Sequence, residues 1–89
     1  MISLIWDDAF KKSYKKRISG NTILKKKFWN NIDLFCSEPF DARLKTHKLT
    51  GKLDGMWAFS VSYECRVVFK FIDDKTALLV DIGSHDEVY

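Results

Sequence analysis

The chain has 89 residues, 46% hydrophobic and 15% aromatic, with a net charge of +3 and a pI near 8.9. That length suits one compact domain over residues 1–89 and excludes two, and the mild positive charge is compatible with an RNA or acidic-protein partner without establishing either. Cys36 and Cys65 have neither metal-ligand nor disulfide-framework spacing, and the apolar runs are too short for a signal peptide or membrane span. A soluble, cytoplasmic protein with buried free thiols is expected.

Ile2, Leu4 and Trp6 alternate with Ser3 and Ile5, which predicts a short first strand. Asp7 or Asp8 then caps a helix whose apolar stripe is Phe10, Tyr14 and Ile18, flanked by Lys11, Lys12, Lys15, Lys16 and Arg17. Ser19-Gly20 ends that helix, and Asn21 caps a second with Leu24, Phe28, Ile32 and Phe35 on its core face. Ser37-Glu38-Pro39 stops it. So short a link predicts an antiparallel helical hairpin. Its lysines, with Lys25-Lys26-Lys27, are either solvated faces or sequence-independent phosphate contacts.

Residues 40–50 are polar and irregular, carrying Arg43, Lys45, His47 and Lys48, and a loop containing Gly51 and Gly55 follows. Trp57, Phe59, Val61 and Tyr63 alternate with Ala58, Ser60 and Ser62, a half-buried strand that turns near Tyr63-Glu64. The next strand, over 62–71, places Cys65, Val67, Phe69 and Phe71 on the core face and Arg66, Val68 and Lys70 on the other. After a turn at 72–75, a last strand runs over 76–82, with Leu78, Val80 and Ile82 set against Leu79 and Asp81. The order β-α-α-β-β-β predicts an α+β fold, a helical hairpin packed on one face of a small antiparallel-rich sheet. The other sheet face is left largely open, as a binding surface would be.

Arg66 on that open face needs an anionic or hydrogen-bonding partner, because an unpaired buried charge is costly. A structural ion pair with Asp81 or Glu64 would supply one. A substrate phosphate would supply the other kind. If the last two strands pair, the tail returns toward the start of the Arg66 strand and brings His85 within reach. Histidine can take and give a proton near neutral pH, and a guanidinium can grip a phosphorane through its planar fork. With a tyrosine at position 89, that set suits cleavage of RNA by its own 2′-hydroxyl. Such chemistry calls for no cofactor and no metal, and the sequence carries no HExxH, CxxC or paired-Asp motif. Surface roles for His47 and His85 and an edge-packing role for Tyr89 fit the composition equally well. Cys65 points away from Arg66 and is not expected to be a nucleophile.

Three stretches carry a resemblance: His47-Lys48-Leu49-Thr50-Gly51-Lys52-Leu53-Asp54-Gly55-Met56-Trp57, then Tyr63-Glu64-Cys65-Arg66-Val67-Val68-Phe69, then Asp81-Ile82-Gly83-Ser84-His85-Asp86-Glu87-Val88-Tyr89. With the length and element order, they resemble the RelE/ParE superfamily of type II toxin–antitoxin toxins, and the Gly-x-His ending is most similar to the YafQ-like branch. The resemblance implies a microbial RNase-like fold and a ribosome-dependent endoribonuclease (an mRNA interferase) that inhibits translation. It implies His47 as base, Arg66 as transition-state clamp, His85 as general acid and Tyr89 as a positioning residue. Lys45, Lys48 and Lys52 would hold the RNA backbone, with Glu64 at the acidic turn position of the site. Two departures stand out. Ser60 occupies a position where YafQ-like toxins carry histidine, and Arg66 matches RelE- and YoeB-like members instead. The implied partners are mRNA, the ribosome and a cognate antitoxin in a higher-order hetero-oligomer, with no membrane. A mildly basic protein with an open sheet face suits an acidic, partly disordered antitoxin that folds on binding. The alternatives are a ParE-like, non-nucleolytic DNA gyrase inhibitor and an inactive member with only a binding or regulatory role.

Overall fold

A computed structural model describes residues 1–84 of the chain. Two helices pack on one face of a five-stranded sheet ordered β1-β5-β4-β3-β2. The strands are β1 (Ser3–Trp6), β2 (His47–Lys48), β3 (Trp57–Ser62), β4 (Cys65–Asp73) and β5 (Thr76–Gly83), and the helices are α1 (Asp8–Arg17) and α2 (Thr22–Ser37). The sheet is mixed. β3, β4 and β5 form the expected antiparallel meander, whereas β1 lies parallel to β5, pairing Ile5 with Leu78. A parallel neighbour needs a crossover, and the helical hairpin together with the meander supplies it.

Local chemistry accounts for the helix ends. The Asp7 side chain accepts from the Ala9 amide at 2.8 Å and that of Asn21 from the Leu24 amide at 3.0 Å. Phe10, Ile18, Phe28, Ile32 and Phe35 are buried against Phe59, Val61, Val67, Phe69, Ala77, Leu79 and Ile82 of the sheet. Phe35 stacks on Phe59 with ring centroids 4.7 Å apart and meets Phe69 edge-on at 4.8 Å.

Two bulges change what alternation predicts. In β5, Val68 pairs with Asp81 but Phe69 with Leu79, so Val80 is the extra residue. As a result Leu79 and Ile82 enter the core together, while Leu78 and Val80 face the other way. That corrects the grouping of Leu78, Val80 and Ile82 on one face. In β3, the register shifts between Ser60 and Ser62, where alternation would run straight on, and Tyr63 lies exposed in the turn expected at Tyr63-Glu64.

The open face is also smaller than expected. Residues 49–56 fold back over part of it. Leu49, Leu53 and Met56 cover Ala58 and Val68 as a second small core. Gly51 and Gly55, at φ +67° and +91°, let that loop turn where a side chain would be strained. Beyond this cover lies the end of the sheet where β4 begins and β5 finishes, and there Cys65, Arg66, Ile82 and Gly83 are buried.

Candidate active site

Among the described residues, Arg66 is the charged residue that the fold buries, at 8% exposure. Strand pairing sets it between Ser60 of β3 and Gly83 of β5. One flank therefore offers a hydroxyl and the other no side chain. Nη1 donates to the Ser62 carbonyl, and Cζ stands 5.9 Å from the Tyr63 ring centroid. Neither carboxylate suggested by the sequence is used. Asp81 accepts from Ser13 Oγ at 2.6 Å and from the Ile82 amide at 2.8 Å, and Glu64 is exposed in the turn. Among the described residues, no ion pair reaches Arg66. A guanidinium has five donors in a planar fork, so beyond its bond to the Ser62 carbonyl Arg66 can still grip an anion.

A cleft of about 210 Å³ opens beside Arg66, lined also by Asn31, Arg43, Lys45, Ser60, Ser62 and Tyr63. It lies along the outer edge of β3, because β2 pairs only with Trp57 and Ala58. Beyond that point Asn31 of α2 takes the partner's role, its Nδ2 donating to the Ser60 carbonyl at 2.8 Å. Arg43 grips both oxygens of Asp41 at 3.0 Å, and this pairing holds the Asp41 carboxyl down at about 2. Lys45 is exposed and adopts a left-handed conformation, φ 53°, at the end of a short 3-10 turn, Ala42–Leu44. Lys45 and Arg66 are thus the cations of the cleft without a carboxylate partner among the described residues.

His47 pairs with Ala58 and so shares the face of Ser60 and Arg66. Strand spacings put the His47 and Arg66 backbones roughly 12 Å apart, a gap that long side chains and a nucleotide can fill. Its Nδ1 lies 2.7 Å from the Lys45 carbonyl. A carbonyl only accepts, so Nδ1 carries the proton, and in the neutral ring Nε2 holds the lone pair.

Lys48 falls on the opposite face, its ammonium 5.5 Å from the Trp57 ring centroid. Lys52 is exposed on the covering loop. His85 and Tyr89 lie outside the described residues, but β5 delivers the chain to the flank of Arg66 at Gly83. A second hollow of about 180 Å³ is lined by Leu53, Met56, Val68, Val80, Asp81, Ile82 and Gly83. No group of three or more His, Cys, Asp or Glu able to hold a metal occurs among the described residues.

Cleft residues that alternation and composition do not single out are Asn31, Arg43, Ser62 and Tyr63. Arg43 stands in the same polar stretch as Lys45 and could have been grouped with it. The sequence places Tyr63 at the hairpin turn, but its residue type alone does not mark it as part of a cleft. Asn31 gives no signal, since it sits on the polar side of a helix far away in sequence.

A sequence profile of the bacterial toxins of type II toxin–antitoxin systems, YafQ family, matches residues 2–89. A comparison with curated proteins gave no match. Among solved structures, a metal-bound toxin from Helicobacter pylori superposes with TM-score 0.77 at 23% identity, covering 100% of both chains. YafQ from E. coli superposes with TM-score 0.74 at 18% identity over 100% of this chain and 99% of that one. The YoeB–YefM complex from Staphylococcus aureus gives 0.74 at 19% identity over 96% and 98%. At these identities the likeness establishes the fold, and the profile over nearly the whole length establishes the family. The chain belongs to the YafQ family of bacterial type II toxin–antitoxin toxins.

Proposed function

We propose that the protein is a ribosome-dependent endoribonuclease that cleaves mRNA by attack of the 2′-hydroxyl on the adjacent phosphate. The observation that carries this reading is Arg66, a buried guanidinium with one backbone acceptor and no carboxylate partner among the described residues, at the wall of an open cationic cleft. A scissile phosphate is an anion such a site can hold, and charge that grows on its oxygens in the transition state is best stabilised by donors already in place.

In this mechanism His47 Nε2 takes the proton of the 2′-hydroxyl. The 2′-oxygen attacks phosphorus, Arg66 holds the phosphorane oxygens, and the bond to the 5′-oxygen breaks. His85 returns a proton to that leaving oxygen, giving a 2′,3′-cyclic phosphate and a 5′-hydroxyl, and Tyr89 positions the base or the acid. Lys45 and Lys52 hold the backbone of the message, and Glu64 stands at the hairpin turn next to Tyr63. Lys48, committed to Trp57 on the other face, takes no part. The lysines of α1 and α2 meet ribosomal RNA. An acidic antitoxin neutralises the toxin by covering the Arg66 face, in keeping with the toxin–antitoxin complex seen for the Staphylococcus aureus relative.

Cleavage of mRNA on programmed ribosomes, with Arg66→Ala and His85→Ala beside the unaltered protein, tests the assignment. Each variant should lose on the order of 100-fold or more in rate. Equal cleavage by all three proteins would sink it, and inhibition of DNA supercoiling without RNA cleavage would favour the gyrase-directed alternative.

A further inference from the structure

We propose that Tyr63 is the stacking platform of the cleft, receiving the base of the nucleotide whose phosphate Arg66 holds. The inference rests on the nucleolytic reading above for the identity of the ligand, and on separate geometry for the role. Tyr63 is 74% exposed, a large aromatic side chain left in water at a turn. The bulge between Ser60 and Ser62 turns it out at the tip of the β3–β4 hairpin. Bulges beside sites commonly re-aim a side chain in this way. Its ring stands over Arg66 at 5.9 Å and lines the same cleft.

An inorganic anion would use Arg66 and Lys45 but not an aromatic face beside them. A nucleotide uses both, because every base presents a π-face and every linkage a phosphate. Ser60, Ser62 and the Asn31 amide at the back of the cleft add hydrogen-bonding groups that a base edge or ribose can meet. Stacking on one exposed ring tolerates any base, so Tyr63 contributes affinity and placement more than sequence discrimination.

The alternative is that Tyr63 only positions Arg66 through its ring. The two roles separate in a binding experiment with short, fluorescein-labelled single-stranded RNA bearing 2′-fluoro groups, which cannot be cleaved by internal attack. Affinity is measured by anisotropy for the intact oligonucleotide and for a series with one abasic position. The unaltered protein and Tyr63→Phe should lose affinity roughly 5- to 150-fold when one particular base is removed, the range set by one base–aromatic stack. Tyr63→Leu should bind the intact oligonucleotide as weakly as that abasic one and show no further loss on base removal. Tyr63 lies on the surface, so circular dichroism should find Tyr63→Leu folded.

Any of three outcomes overturns the inference: failure of the unaltered protein to bind the intact RNA, undiminished affinity of Tyr63→Leu for it, or base removal that weakens Tyr63→Leu as much as the unaltered protein. Tyr63-dependent binding without mRNA cleavage on ribosomes would leave this inference standing and remove the nucleolytic reading. Cleavage accompanied by any of those three results would do the reverse.

Discussion

Cys65 and Arg66 are neighbours in β4 with opposite environments, and each depends on the strand's pleat. Cys65 enters the core, where burial pushes its thiol up to about 11; Arg17 and Arg66 pull the other way and do not offset it. It is therefore protonated and inert at neutral pH. Between pH 9 and 11 the unfolded chain gives up a proton that the folded chain keeps. Stability is therefore fully present below about pH 9 and falls as pH rises through that window. Urea midpoints measured across that window should decline less steeply for Cys65→Ala than for the unaltered protein, and parallel declines would contradict the burial of the thiol. Cys36, also raised by burial, leaves a residual slope of the same sign. That Arg66 and Cys65 occupy opposite faces was legible from period-two alternation. That Arg66 would bond Ser62 was not, because a backbone acceptor in the same hairpin leaves no mark on residue types.

At the scale of elements, helix ends and core faces followed from residue type. Asp7 and Asn21 cap as expected because a short polar side chain before a periodic apolar run has few other uses. The bulges were not legible, since inserting one residue into a strand depends on which register the two strands settle into. The two-residue β2 was hidden too, as His47 and Lys48 lack strand character and pair only because the loop through Gly51 and Gly55 folds back. Cap and core should separate energetically. Asn21→Ala should cost about 1 kcal/mol, and Phe35→Ala, stacked on Phe59 and fully buried, about 3–5 kcal/mol. Urea titrations at constant m would show it, and equal losses would mean that the Phe35 site collapses around the deletion.

Across the whole molecule, charge is segregated. Eight of the fifteen Lys and Arg residues lie between Lys11 and Lys27, a span without Asp or Glu. The rest of the chain sets the other seven against all twelve acids, so it is net acidic, and a total of +3 conceals the division. The first helix and the start of the second form a cationic body. Association with ribosomes should weaken steeply with salt. Replacing Lys25, Lys26 and Lys27 with Gln should lower the slope of log K against log salt by about 0.7–0.9 for each phosphate that is no longer neutralised. An unchanged slope would make those lysines a merely solvated face. Under the proposed function the two parts divide the work, with the hairpin supplying non-specific attraction and the cleft the chemistry.

The central claim is that Arg66 clamps a phosphate attacked by its own 2′-hydroxyl, and the ends of the RNA products test it most directly. Messages incubated on ribosomes with the unaltered toxin should yield upstream fragments ending in 2′,3′-cyclic phosphate and downstream fragments beginning with 5′-hydroxyl, and Arg66→Ala should yield almost none. Fragments with 3′-hydroxyl and 5′-phosphate ends, or the same yield from Arg66→Ala, would contradict it.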